Sequence, residues 1–183
     1  MENFESIVKI VEQRREILKS SIKEIEIIDY GAGKPNDKRT KEEMQKGVKS
    51  VVVLKELASI GVKKEKAKQI YDIFLTLEPK TILELGTCLG FSSAYMGFFM
   101  PNAKIYTIEG SPNIAQIARE NHQAFNLASI EIFVGRFVEV LSKLLEKIKP
   151  IDFAFIDGHH NKEATLAYFK QILPFMSGGG DAI

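Results

Sequence analysis

One cysteine, Cys88, is all the chain has, so an internal disulfide is excluded. A free thiol fits a reducing compartment, and the cytoplasm is the expected location. Tryptophan is absent, and no apolar run reaches the length needed to span a membrane. Charge of one sign is lacking too: 25 Lys/Arg face 24 Asp/Glu, a net charge of +1. No global field therefore marks a nucleic-acid or membrane partner. The start, MENFESIVKIVEQRRE, is charged and amphipathic, unlike a secretory leader. There is no internal repeat and no low-complexity segment. At 183 residues the chain is long enough for one domain with a substantial core.

Two textures divide the chain. Residues 4–20 carry Phe4, Ile7, Val8, Val11, Ile17 and Leu18 at helical spacing. Residues 24–30 read as a short extended piece. Thr40 and Glu43 form a capping-box pattern that opens a helix expected to reach about Ala58. A further helix carries Ala67, Ile70, Tyr71, Phe74 and Leu75 and ends at Pro79. After Pro79 the runs TILEL (81–85), KIYTIE (104–109), IEIFV (130–134) and IDFAFID (151–157) alternate with helices at about 91–100, 112–125, 137–148 and 162–173. That alternation predicts a mostly parallel sheet covered on both faces. Residues 1–78 are thus read as a helical N-terminal extension, and 79–183 as a doubly wound α/β core. SGGGDAI at the end reads as the turn into a fifth strand, as if the chain stopped inside it. An exposed sheet edge there would invite pairing with a second copy, which light scattering of concentrated protein tests.

Two stretches compete as a cofactor loop. DYGAG (29–33) is followed by KPNDKRTKEE, where Pro35 and a run of charges oppose an immediate packed helix. It is read as a turn, with a lid over the site as the alternative. ELGTCLG (84–90) follows a strand and leads straight into a helix, as a ligand-binding loop must. The next strand ends at Glu109, whose carboxylate can accept from a ribose diol. The spacing is Gly-x-x-x-Gly after an acid, with no lysine to cradle phosphate. Glu84 at that strand end would repel a pyrophosphate and suit a cationic ligand such as a sulfonium.

ELGTCLG, Glu109 and FIDGHH (155–160) together resemble the class I S-adenosylmethionine-dependent methyltransferases, in particular their small-molecule O-methyltransferase-like branch. The resemblance covers about residues 65–183. It implies a Rossmann-like sheet in strand order 3-2-1-4-5, the fifth strand cut short. It implies S-adenosylmethionine as cofactor, with Glu84, Gly86, Thr87 and Gly90 on its methionine and ribose side and Glu109 on the ribose hydroxyls. Relatives often carry Gly-Asp after the third strand, the acid accepting from adenine. This chain has Gly135-Arg136, and a guanidinium cannot accept. Arg136 would stack on the base or turn to solvent, leaving adenine contact to Gly135 and Phe137. Asp157 with His159 or His160 is the catalytic candidate, a histidine serving as general base for a hydroxyl acceptor. Metal-dependent relatives bind magnesium at the counterpart of Asp157 and at an Asp-Asn pair after the fifth strand. Those positions would fall past Ile183, so a divalent metal is left open. Cys88 reads as packing and His122 as a surface residue.

The resulting expectation is methyl transfer to a small-molecule acceptor, at oxygen. A non-catalytic binding or assembly protein on the same fold is the alternative, motivated by Arg136 and the abrupt end. An RNA methyltransferase is the third reading. Residues 34–68 hold eleven Lys/Arg against five Asp/Glu, but no aromatic lies between Tyr30 and Tyr71 to stack on bases. That segment is read as solvated helix faces, not a nucleic-acid surface.

Overall fold

The computed structural model describes residues 3–31, 33, 39–158 and 162–182. The N-terminal part runs α1 (Phe4–Lys19), β1 (Glu24–Asp29), α2 (Lys41–Lys46), β2 (Val48–Val53), α3 (Leu54–Ser59) and α4 (Lys64–Leu77). Then come β3 (Thr81–Leu85), α5 (Phe91–Phe99), β4 (Lys104–Glu109), α6 (Pro112–Ala124), β5 (Ile130–Val134), α7 (Phe137–Ile148), β6 (Ile151–Ile156), α8 (Lys162–Ile172) and β7 (Met176–Ala182). The five later strands form a parallel sheet in the order β5-β4-β3-β6-β7. Counted from β3, this is the expected 3-2-1-4-5.

The helix expected from Thr40 to Ala58 does not form at that length. The Thr40 capping box forms, with Thr40 Oγ1 accepting from Glu43 N at 3.2 Å and Glu43 Oε2 accepting from Thr40 N at 2.7 Å. The helix it opens stops at Lys46 instead of reaching Ala58. Gly47 takes a φ of +78°, and a Cβ there would sit 2.5 Å from Ile28 Cγ2. The turn brings VKSVVV back along β1, pairing Glu24 with Val53 through Asp29 with Val48. Four β-branched valines favour that ribbon over a helix. The extension is therefore helices plus a two-stranded antiparallel ribbon.

Period-two alternation splits the sheet's apolar residues between two faces. Ile82, Ile105, Phe153 and Phe155 meet α5 and the N-terminal helices. Leu83, Leu85, Ile108 and Ala154 meet Leu141, Leu144, Leu145 and Ile148 of α7 and Tyr168 and Ile172 of α8. Helix α5 is apolar on nearly all sides, because α1 and α4 cover the side the sheet leaves bare. Phe99, Phe4 and Tyr71 form a three-ring cluster, with the Phe99 centroid 6.0 Å from Phe4 and 5.0 Å, edge-on, from Tyr71. Burying each such ring contributes about 2–3 kcal/mol. Residues 4–77 are thus packed into the same core as the sheet.

Arg15 completes this packing. It stands on the apolar stripe of α1 and is wholly buried. Its guanidinium donates to Ala58 O at 3.2 Å, Ile60 O at 2.9 Å and Val62 O at 2.6 Å. It lies 4.1 Å from the Phe91 ring centroid and pairs with Glu12 at 3.0 Å. The carbonyls left free at the end of α3 are thereby satisfied, and the 58–62 turn is fixed against the start of α5.

Candidate active site

The sheet order reverses at β3, which has β4 on one side and β6 on the other. Open α/β sheets place ligands above the C-terminal strand ends at such a point. A cavity of about 1010 Å³ lies there. Its floor is Gly86, Thr87, Cys88, Glu109, Gly110, Gly135, Asp157 and Gly158, from strand ends and the turns that follow, with Phe137 from the start of α7. Asp29, Tyr30, Gly31, Met44, Gln45 and Ile60–Val62 of the N-terminal part supply a wall. Asp29, Tyr30, Gly31 and Gly33 of the DYGAG stretch thus border the site. Asp29 accepts from Gly31 N at 2.8 Å and pairs with Arg39 at 2.7 Å.

The 86–90 loop is held from below. Gly86 N and Thr87 N donate to Ile108 O at 3.1 and 3.3 Å. Gly86 has φ +101°, and a Cβ would lie 2.8 Å from Asp157 O. Only glycine lets the turns after β3 and β6 approach so closely. Cys88 adopts φ +48° and turns its N–H toward Glu109, donating to Oε2 at 2.9 Å. The other Glu109 oxygen accepts from Ser111 N at 2.9 Å. Burial pushes the Glu109 carboxyl up, and the N–H groups of Ser111, Cys88 and Gly110 oppose that shift. Burial also pushes the Cys88 thiol up to about 12, so it stays protonated, in keeping with a packing role.

Glu84 is not on the cavity surface. It is fully buried beneath the loop, facing the start of α5. Its Oε2 accepts from Thr107 Oγ1 at 2.6 Å, and Thr107 Oγ1 is 2.6 Å from Thr87 Oγ1. Among the described residues, Glu84 Oε1 has no hydrogen-bond partner. Burial, opposed by nearby hydroxyls and reinforced by Asp157, raises its pKa from 4.5 to about 7. Between those values the folded chain keeps a proton that the unfolded chain has lost, so stability falls as pH rises through that window. Glu84→Gln is therefore expected to be more stable than wild type at about pH 8, by roughly 3 kcal/mol, and equal to it near about pH 4. Urea denaturation at both pH values measures this; an equal gap at both would remove the buried proton.

His122, expected at the surface, is instead buried, 4% exposed. Its Nε2 lies 3.0 Å from Gly90 O and 3.0 Å from Ser93 Oγ. A carbonyl can only accept, so Nε2 carries the proton. Burial lowers the pKa to about 4 and keeps the ring neutral. Beside it, Asn121 donates to Leu89 O at 2.8 Å and accepts from Arg14 Nε at 2.8 Å. Two side chains of α6 thus hold the end of the ligand loop. His122 reads as surface because α6 is polar overall; its place beside the buried Ala118 is the signal.

Other site expectations fall as follows. Phe137 borders the cavity, packs on Gly158 and meets Tyr168 edge-on at 5.4 Å. Gly135 N donates to Glu109 O at 2.9 Å. Arg136 lines the cavity and reaches the facing wall: Nη1 donates to Gln45 O at 2.6 Å, and Nη2 pairs with Glu139. Asp157 lies at the end of β6 on the cavity wall. His159 and His160, and the expected cap Asn161, lie outside the described residues. Among the described residues, no group of three or more His, Cys, Asp or Glu is placed to hold a metal ion. Tyr30, which packs on Gly110 across the cavity, and Arg15, behind the 58–62 wall, were not found by motif.

A family model described as a methyltransferase domain matches residues 83–181. The chain belongs to this methyltransferase family. The matched stretch of the methyltransferase domain holds every floor residue of the cavity. A catechol O-methyltransferase of Niastella koreensis is 31% identical over 120 residues, covering 64% of this chain and 53% of that protein. The chain spans about half the length of the curated relatives it matches. Among solved structures, an O-methyltransferase from Bacillus cereus in complex with SAH (S-adenosylhomocysteine) has a TM-score of 0.60 at 27% identity, covering 67% of this chain and 56% of that one. The O-methyltransferase TomG of Streptomyces achromogenes, in complex with SAM, has a TM-score of 0.60 at 25% identity, with 67% and 55% covered.

Proposed function

We infer that the chain serves S-adenosylmethionine-dependent methylation of a small-molecule acceptor, at oxygen, by direct transfer. The observation that carries this reading is the Glu109 carboxylate. It lines the cavity at the tip of β4, and each of its oxygens is fixed by a backbone N–H. Each oxygen retains a lone pair, the acceptor pattern a ribose diol needs. The donor set therefore fits the cofactor: Glu109 for the ribose, Gly86–Cys88 for the methionine side, and Gly135 with Phe137 for the base. When bound, the cofactor supplies a methyl group on a positively charged sulfur, already activated for displacement.

The protein's own work is then alignment and proton removal. Asp157, at the end of β6, stands where the acceptor hydroxyl would be oriented, and the adjacent His159 or His160 would take its proton. Residues 79–183 would hold the cofactor, and the wall from residues 1–78 would shape the acceptor pocket. A divalent metal at Asp157 is compatible with this arrangement and not required by it. Among the described residues, no helix is long and apolar enough to cross a membrane. A cytoplasmic setting rests on the unpaired Cys88.

Calorimetric titration with S-adenosylhomocysteine tests the reading. One site per chain is expected. No heat and no thermal stabilisation at millimolar ligand would remove the cofactor assignment, and with it the reaction.

A further inference from the structure

Arg136 is where the ligand loop departs from its relatives' chemistry. The residue follows Gly135 at the tip of β5 and opens α7 as its N-cap. Both arms of its guanidinium are held by protein groups. One arm donates to Gln45 O at 2.6 Å, a contact spanning 91 residues of sequence. The other arm is held by Glu139, whose carboxylate also accepts from Arg136 N at 3.4 Å. Gln45 lies in the last turn of α2, where helix carbonyls have no partner along the helix. A cation there is also favoured by the helix dipole. Met44 and Gln45 line one side of the cavity, and Gly135, Arg136 and Phe137 line the other.

We propose that Arg136 is a positioning residue that latches the α2 segment over the cavity and ties its placement to the cofactor end of the site. The arginine stands where an acceptor of adenine was expected. A guanidinium spent on Gln45 and Glu139 is not oriented to stack on a ring. Its two forks suit bridging a carbonyl and a carboxylate at once, which lysine cannot do equally well. The link to cofactor occupancy rests on the methyltransferase reading above; the latch itself does not.

Hydrogen exchange of the whole chain, with and without S-adenosylhomocysteine, separates the two. In wild type, ligand is expected to slow exchange across residues 42–47. In Arg136→Met, exchange there should quicken about tenfold without ligand, while α4 and β3 keep wild-type rates. Ligand-induced protection of 42–47 should also be lost, and Arg136→Lys should restore part of it. Glu139→Gln, which loosens the guanidinium without removing it, should give a smaller change in the same direction, and it serves if Arg136→Met does not fold. Unchanged exchange at 42–47 in both variants overturns the latch. Loss of ligand binding with 42–47 unchanged assigns Arg136 to the cofactor instead. If wild type binds no ligand, the methyltransferase reading fails, while the ligand-free comparison still decides the latch.

Discussion

Glu109→Ala is expected to lower affinity for S-adenosylhomocysteine by about a hundredfold or more, since hydrogen bonds to a charged group contribute roughly 1.5–3 kcal/mol each and two are lost. The variant also leaves Cys88 N and Ser111 N without their acceptor. Glu109→Gln is the sharper probe. Both oxygens of the carboxylate accept from backbone N–H, so whichever way the amide turns, its NH2 faces an N–H donor. Gln should therefore fall close to Ala in affinity, despite its nearly identical shape. Calorimetry on the three proteins, with thermal unfolding to verify that each is folded, makes the measurement. If Gln binds like wild type, the carboxylate is not the ribose acceptor and the site must be redrawn.

Glu109 illustrates what the sequence makes legible. A strand run ending in an acid, a glycine-bracketed loop and a following helix are all local patterns. They placed β3 to β6 and the floor of the cavity within a residue or two. The misses are non-local. The 48–53 ribbon was hidden because Thr40 and Glu43 do open a helix, and what ends it is the partner strand β1 together with Gly47. His122 and Arg15 are polar residues that a single-chain reading assigns to solvent. Each is buried because a distant segment brings carbonyls to it: Gly90 for the first, and Ala58, Ile60 and Val62 for the second. Glu84 reads as a ligand residue from its place before the loop, yet its strand register points it under the loop, toward Thr107. Arg136 stands out in the sequence, but its partner Gln45 lies in the segment that reads as continuous helix, so the sequence pattern does not pair them.

The second large effect is expected at Gly86. Replacing it with Ala imposes two separable costs. One is the strain of a side chain at φ +101°; the other is a Cβ placed 2.8 Å from Asp157 O, 3.0 Å from Asp157 C and 3.1 Å from Gly158 Cα. All three neighbours are backbone, so no side chain can rotate away. Nor can the turns part freely, since Gly86 N is tied to Ile108 O and Asp157 N to Leu85 O. Gly61→Ala provides the control, because Gly61 has φ +84° but nothing within 4 Å of a Cβ. It should cost about 1 kcal/mol from backbone strain alone, whereas Gly86→Ala should cost about 3 kcal/mol or more. Urea denaturation of both variants compares them. Equal losses would mean that the turns after β3 and β6 yield easily. A loss confined to Gly86 would show that the approach of those two turns is rigid. The 86–90 loop then presents its backbone to the cavity in a fixed form, held by Ile108 below, by Asp157 at the side and by His122 at its far end.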